Sequence, residues 1–258
     1  MAMNSYRSFA VLLCAAALSS CEKNAVQELV GTEPAARIKF FNFGVGAPGV
    51  NFYAGDVKMT AITSATETES TTGTAYGGVG SGGLYSSLAA GQYTLSGRIA
   101  ATVDKDLPIS TTTTTLDDGK FYSFYQSGIY NATTKNVDSF IVEDPLIPNI
   151  DYTVAYVRFV HAISNANPMT LYATDTVTKV VTAIGEAVAY KGAGTFTAVP
   201  NGVYNLTTRY VGATTNAISR TGVSFVAGRV YTIGARGDIT VTSTTATNRP
   251  FLDNTLNR

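Results

Sequence analysis

Tryptophan is absent from this chain, histidine occurs once, and its two cysteines, Cys14 and Cys21, both fall within the first 21 positions. The body of the protein therefore cannot close a disulfide or build a thiolate metal site. Catalysis by a Ser-His-acid arrangement needs an imidazole base, which leaves His161 as the one candidate. Charge is scarce as well, at 14% of residues with 18 basic against 18 acidic. Phosphate binding requires clustered Lys and Arg, so nucleic acid is excluded as a partner.

What is present favours strands. Hydrophobic residues make up 45% of the 258, which is too apolar for a disordered chain. The 24 Gly and 15 Tyr, with abundant Thr and Val, suit pleated strands and tight turns better than helices. The length leaves room for two sandwich-sized domains.

The N-terminus has its own logic. Met1 to Arg7 is polar with one positive charge, and Phe9 to Leu18 is an unbroken apolar run. Crossing a bilayer as a helix takes roughly 20 apolar residues, so this run fits the core of a signal peptide rather than a permanent span. Leu18-Ser19-Ser20-Cys21 follows and resembles the lipobox of bacterial lipoproteins. In that arrangement the Cys21 thiol takes the lipid, and the small residues before it admit the peptidase. Residues 1–20 are expected to be the leader, removed in front of Cys21, and residues 21–35 a polar tether. Two or more acyl chains of the palmitate kind on one residue anchor stably. The expected location is the bacterial cell envelope, at the outer membrane. Loss of Arg7 with the leader leaves 17 basic against 18 acidic residues.

An internal repeat organises the rest. Ala36 to Asp56 aligns without gaps on Ala155 to Asp175, with identity at Ala36, Phe40, Ala47, Tyr53, Ala54 and Asp56 and a basic residue shared at Lys39 and Arg158. Gly83 to Leu95 matches Gly194 to Leu206, sharing Tyr93 with Tyr204. Gly119-Lys120-Phe121-Tyr122 matches Gly228-Arg229-Val230-Tyr231. The extra length of the first copy lies mainly between Asp56 and Gly83, in a Ser, Thr and Gly-rich stretch where a surface loop absorbs residues. Side chains alternate within each copy, as in Ile38, Phe40 and Asn42 against Lys39, Phe41 and Phe43. The fold class is all-β, with two tandem immunoglobulin-like β-sandwich domains of about seven strands each. The first copy spans 36–146, a linker with Pro148 spans 147–154, and the second copy spans 155–258. Pro250 marks the last strand as an edge.

Together these blocks resemble the bacterial domain of unknown function 4397. The matching features in the first copy are Arg37-Ile38-Lys39-Phe40, Asn42, Pro48, Tyr53, Gly91 and Tyr93. In the second they are Arg158, His161-Ala162, Pro168, Tyr172, Pro200-Asn201-Gly202-Val203-Tyr204 and Tyr231-Thr232. The resemblance implies a secreted or lipid-anchored module, single or tandem, without an established activity. An Asp often precedes the strand tyrosine in that family; here Asn51 and Thr170 stand in that region, against a shared carboxylate site.

Few residues suggest chemistry. His161 occupies the place of Asn42 in the other copy and reads as a strand-end residue bonded to backbone. The acidic pairs Asp104 with Asp106 and Asp117 with Asp118 sit in loop-like stretches, where hairpin tips carry such residues. Tyr53 with Tyr172 and Tyr93 with Tyr204 recur at equivalent positions, as structural tyrosines do. Thr111 to Thr115 reads as an exposed strand or loop, and Asp175-Thr176-Val177 resembles a short acceptor for periplasmic O-glycosylation. No catalytic residue, cofactor or metal site is expected. The expected function is a lipid-anchored, non-enzymatic binding, adhesion or structural module, with an envelope protein or glycan as partner. The alternatives are a pilus-like assembly subunit and a glycan-binding surface protein. Cys21→Ala is predicted to abolish incorporation of labelled fatty acid and to release the protein from the membrane fraction; labelling that persists would exclude Cys21 as the attachment site.

Overall fold

The computed structural model describes residues 35–258; the leader and Cys21 lie outside the described residues. Nine strands form the first half: β1 (Ala36–Val45), β2 (Val50–Ala54), β3 (Val57–Lys58), β4 (Gly78–Val79), β5 (Ser86–Leu88), β6 (Gly91–Ile99), β7 (Pro108–Leu116), β8 (Phe121–Asn131) and β9 (Asn136–Glu143). The second half contains β10 (Val154–His161), β11 (Met169–Asp175), β12 (Val181–Val188), β13 (Thr197–Pro200), β14 (Gly202–Tyr210), β15 (Ile218–Phe225), β16 (Val230–Arg236) and β17 (Phe251–Leu256). The fold is all-β, and among the described residues no helix is long and apolar enough to cross a membrane.

Each half is a sandwich of two sheets, and the strand order is the same in both. In the first, β1 lies parallel to β8, β9 flanks β8, and the short β4 and β5 share the other side of β1. The facing sheet runs β3-β2-β6-β7. In the second, β13-β10-β16-β17 faces β12-β11-β14-β15, again with the first strand parallel to the next-to-last, β16. Register repeats too: Lys39 pairs with Ser123 as Arg158 pairs with Thr232, and Tyr53 pairs with Ser96 as Tyr172 pairs with Thr207. Gly119 and Gly228, at φ of 71° and 73°, make the same left-handed turn before β8 and β16, a conformation that glycine adopts without steric cost.

The halves differ where length changes. The residues between β3 and β4 hold only isolated bridges, Thr63 with Glu69 and Val50 with Thr74, where the second half places the eight-residue strand β12. The second half carries its own excess between β16 and β17: residues 237–250 form a long connection, against a tight turn at 132–135 between β8 and β9.

Alternation gives each sandwich a private core. Ile38, Phe40, Val50, Phe52, Leu95, Ile99 and Phe124 fill the first, and Val157, Phe159, Leu171, Ile184, Leu206, Phe225 and Ile233 the second. Burying each such side chain contributes about 1.5–3 kcal/mol. The residues between these in sequence point away from their own core, and there Phe41, Phe43, Tyr125 and Phe140 meet Val160 and Ala162 in a third apolar cluster. The β1-β8-β9 sheet of one half thus packs through its outer face on the β10-β16-β17 sheet of the other. Gly234 permits the close approach, since a Cβ there would stand 3.0 Å from the Phe43 ring.

Because the second core draws only on its own half, residues 152–258 are predicted to unfold cooperatively in isolation. The midpoint should fall below that of the whole chain, because Val160 and Ala162 become exposed. A broad thermal transition with loss of near-ultraviolet circular dichroism would show instead that the halves share one core.

Candidate functional site

The densest polar chemistry lies at the junction of the halves. Arg158 leaves β10 on the face opposite Val157 and Phe159, and it is 1% exposed. Its Nε donates to Thr232 Oγ1 at 3.0 Å and its Nη1 to the Glu143 carbonyl at 2.8 Å, while its Nη2 forms an ion pair with the Asp144 carboxylate. Asp144 is fully buried and also accepts from Tyr85 Oη at 2.8 Å and Ser123 Oγ at 2.7 Å. Lys39, the counterpart of Arg158 in the first half, donates from Nζ to the Leu256 carbonyl at 2.6 Å and stands 4.2 Å from the centre of the Tyr85 ring. Burial lowers the Lys39 ammonium to about 8 against the opposing pull of Asp144. Burial, reinforced by Asp144, raises the Tyr85 phenol well above its ordinary value.

Two further clasps flank this cluster. On one side Tyr190 Oη lies 3.0 Å from Ser127 Oγ and donates to Asp138 at 3.2 Å, which Lys191 also reaches at 2.7 Å. On the other, Arg236 pairs with Asp253 and lies over the rings of Phe43, Tyr76 and Phe251. Each bridges residues of both halves, so the junction's acids, bases and phenols are engaged in holding the two sandwiches together. The arrangement excludes water from the ion pair and fixes the halves against rotation.

His161 and Asn42 occupy one architectural place. The backbone N–H two residues on donates to each, from Ile163 to His161 Nδ1 at 3.2 Å and from Gly44 to Asn42 Oδ1 at 3.3 Å. Each side chain also engages a carbonyl of a following loop, His161 Nε2 with Asn167 and Asn42 Nδ2 with Thr74. Both imidazole nitrogens are thereby occupied, and burial lowers the pKa of the ring. In the first half the arrangement extends further, because Gln126 donates to Asn42 Oδ1 at 2.9 Å and accepts from Ser110 at 2.8 Å.

The recurring tyrosines repeat their contacts. Tyr93 and Tyr204 each donate to the carbonyl four residues earlier, of Ala89 and Pro200. Tyr122 and Tyr231 each accept from the N–H five residues earlier, of Asp117 and Val226. Tyr53 and Tyr172 lie beneath the equivalent Arg98 and Arg209. The acidic residues are engaged locally: Asp104 pairs with Lys135, Asp106 accepts from Tyr53, and Asp117 pairs with Lys120, while Asp118 is exposed. Thr111 to Thr115 lies in the edge strand β7. Thr176 sits in the β11-β12 turn and donates its hydroxyl to the Val203 carbonyl. Among the described residues no three His, Cys, Asp or Glu converge on a metal position.

Sequence reasoning missed Asp144, which follows β9 and precedes Pro145 as an ordinary boundary residue would. The only available signal was the basic residue repeated at Lys39 and Arg158 on an otherwise apolar strand, which calls for a counter-ion from elsewhere.

Residues 155–256, which make up the second sandwich, match the family model described as Domain of unknown function (DUF4397). No curated protein matches the sequence. Among solved structures, a chain described as the Bacillus anthracis TIE protein aligns at a TM-score of 0.25 and 11% identity, over 79% of this chain and 34% of its own. The present chain thus spans about a third of that protein's length.

Removing one partner of a buried pair leaves the other charge uncompensated, at about 3–5 kcal/mol. Asp144→Ala is predicted to lower unfolding stability on that scale in denaturant titration, and Asp144→Leu combined with Arg158→Met to recover a large part of it. Equal losses in the single and double variants would show the pair to be energetically idle. His161→Asn should cost no more than about 1 kcal/mol, the scale of one net hydrogen bond. With its folded pKa depressed, His161 favours the native state above the ordinary imidazole value and works against it as pH falls below. His161→Asn should therefore flatten stability against pH on the acid side of 6.5; an unchanged acid slope would contradict the buried assignment.

Proposed function

We propose that this protein is a lipid-anchored envelope component in which two tandem copies of one β-sandwich domain form a single rigid binding module. It works by presenting surfaces and performs no reaction of its own. The observation that carries this reading is the junction. Lys39, Arg158 and Asp144 are buried between the halves and, with the half-buried Tyr85, are committed to joining them. An enzyme keeps its reacting groups where substrate can reach them. Here they do the work of a fixed joint, which sets the outer strands and loops of both sandwiches in one constant relation.

The leader and the Leu18-Ser19-Ser20-Cys21 motif support delivery to an envelope membrane. The run from Glu22 to Ala35 would hold the first strand a short distance from it. The repeated register and the shared tyrosine contacts support reading the first sandwich as a copy of the same domain as the second.

The test is affinity capture from envelope extract and a glycan panel with the protein from Glu22 onward, alongside its His161→Asn variant. The expected result is a retained partner, held equally by both forms. Recovery of the native protein in high-molecular-weight filaments would favour an assembly subunit, and a turnover lost in His161→Asn at an unchanged thermal midpoint would reopen catalysis.

A further inference from the structure

The two sandwiches diverge at one structurally equivalent place, and the divergence builds a cleft. In the first half the edge strands β7 and β9, which end the two facing sheets on the same side, are joined by a short contact: Thr112 Oγ1 lies 2.8 Å from Ser139 Oγ. Register places Arg220 of β15 where Thr112 stands, since Leu95 pairs with Thr112 as Leu206 pairs with Arg220. It likewise places Leu252 of β17 where Ser139 stands. The same two positions are bonded in the second half, now by Arg220 Nη1 donating to the Leu252 carbonyl at 2.6 Å. The longer side chain needs more room, and the connection 237–250, whose counterpart in the first half is only the turn 132–135, walls that room in. Its base is pinned, because Asn165 donates to Asp238 at 2.7 Å and accepts from the Ile239 N–H at 3.2 Å. The result is a cleft of about 720 Å³, within the range of ligand sites.

Its chemistry is cationic and hydroxylic. The guanidiniums of Arg220, Arg236 and Arg249 all lie between 5.1 and 5.3 Å from the centre of the Phe251 ring. Asp253 neutralises Arg236. Arg220 and Arg249 pair with no carboxylate among the described residues and bond only to the carbonyls of Leu252 and Ala246. A guanidinium carries five N–H donors, so each keeps several for a ligand. Arg236 lies outside the lining of the cleft, so the cleft's two uncompensated charges, on Arg220 and Arg249, make the site that an anion relieves. The walls add Ser219 and Thr221 from β15 and Thr242, Ser243 and Thr244 from the connection, all exposed hydroxyls suited to sugar hydroxyls. Phe251 is covered by the guanidiniums, so it orients them and is not itself a stacking platform for a neutral sugar ring.

The geometry points to a binding site for a carboxylate-bearing saccharide, a uronate oligomer, in this cleft. Arg220 and Arg249 take the carboxylates, and the Ser and Thr hydroxyls take the ring hydroxyls. The assignment rests on the binding-module reading and supplies its ligand class. Neutral oligosaccharides lack the charge, and an acidic peptide brings carboxylates but no ring hydroxyls to meet the Ser and Thr side chains.

The experiment is calorimetric titration of the protein from Glu22 onward with oligogalacturonate, a neutral dextran oligomer and poly-glutamate. Arg220→Gln and Arg249→Gln are titrated alongside, and thermal midpoints are recorded for each. Binding of oligogalacturonate alone is expected, weakening with added salt and falling at least tenfold in either variant. Arg249→Gln lies on the connection, outside the sheet, and keeps the test decisive if Arg220→Gln perturbs folding. Absence of uronate binding, uronate binding indifferent to both substitutions, or equal binding of poly-glutamate would overturn the assignment. A protein that fails here yet still captures another envelope partner loses the uronate site while the binding-module reading stands.

Discussion

The ion pair between Arg158 and Asp144 is the constraint around which this molecule is arranged. An arginine without water around it is tolerable only when a counter-charge and hydrogen-bond acceptors surround it. That requirement dictates a good deal of the neighbourhood. Thr232 must offer a hydroxyl from the adjacent strand, Glu143 must end β9 with its carbonyl turned inward, and Ser123 and Tyr85 must satisfy the remaining lone pairs of Asp144. These four partners come from both sandwiches, and Asp144 itself from the segment between them. The two contacts of Arg158 with Glu143 and Asp144 cross between the halves and form only when these are face to face.

This is also why the sequence was legible in one direction and opaque in another. Strand periodicity and the repeated Gly-x-Tyr and Gly-x-x-Tyr turns are local signals, and they led to the right class of fold. The repeated blocks even hold in register, with Lys39 and Arg158 facing equivalent residues of the parallel neighbour. Asn42 and His161 could be paired from alignment alone, and both accept a hydrogen bond from the N–H two residues on. The junction could not be foreseen, because alternation says that Lys39, Phe41 and Phe43 share a face without saying what covers it. A face that mixes a lysine with two phenylalanines reads equally as a half-exposed surface. About seven strands were expected in each half, yet the short β3, β4 and β5 bring the first to nine. Strands of two or three residues at sheet margins leave no periodic trace.

The cleft beside Phe251 was hidden for a different reason. Its arginines are separated in sequence, and the connection 237–250 has the Ser, Thr and Asn content of any surface loop. Only the comparison of two copies of one architecture makes it visible. A threonine in one and an arginine in the other hold the same strands together, and the second demands an opening that the first does not.

The placement of β1 has a mechanical consequence. This strand follows directly on the segment ahead of Ala36, and it lies inside its sheet, parallel to β8 over nine consecutive register pairs from Arg37 to Val45. A pull on the chain ahead of Ala36 draws β1 lengthwise past its neighbour, so the bonds between them are loaded in shear and must yield together. An antiparallel hairpin pulled at its open end would instead unzip one bond at a time. The chain therefore enters the folded body through a strand whose bonds to its parallel neighbour share a load applied at that end.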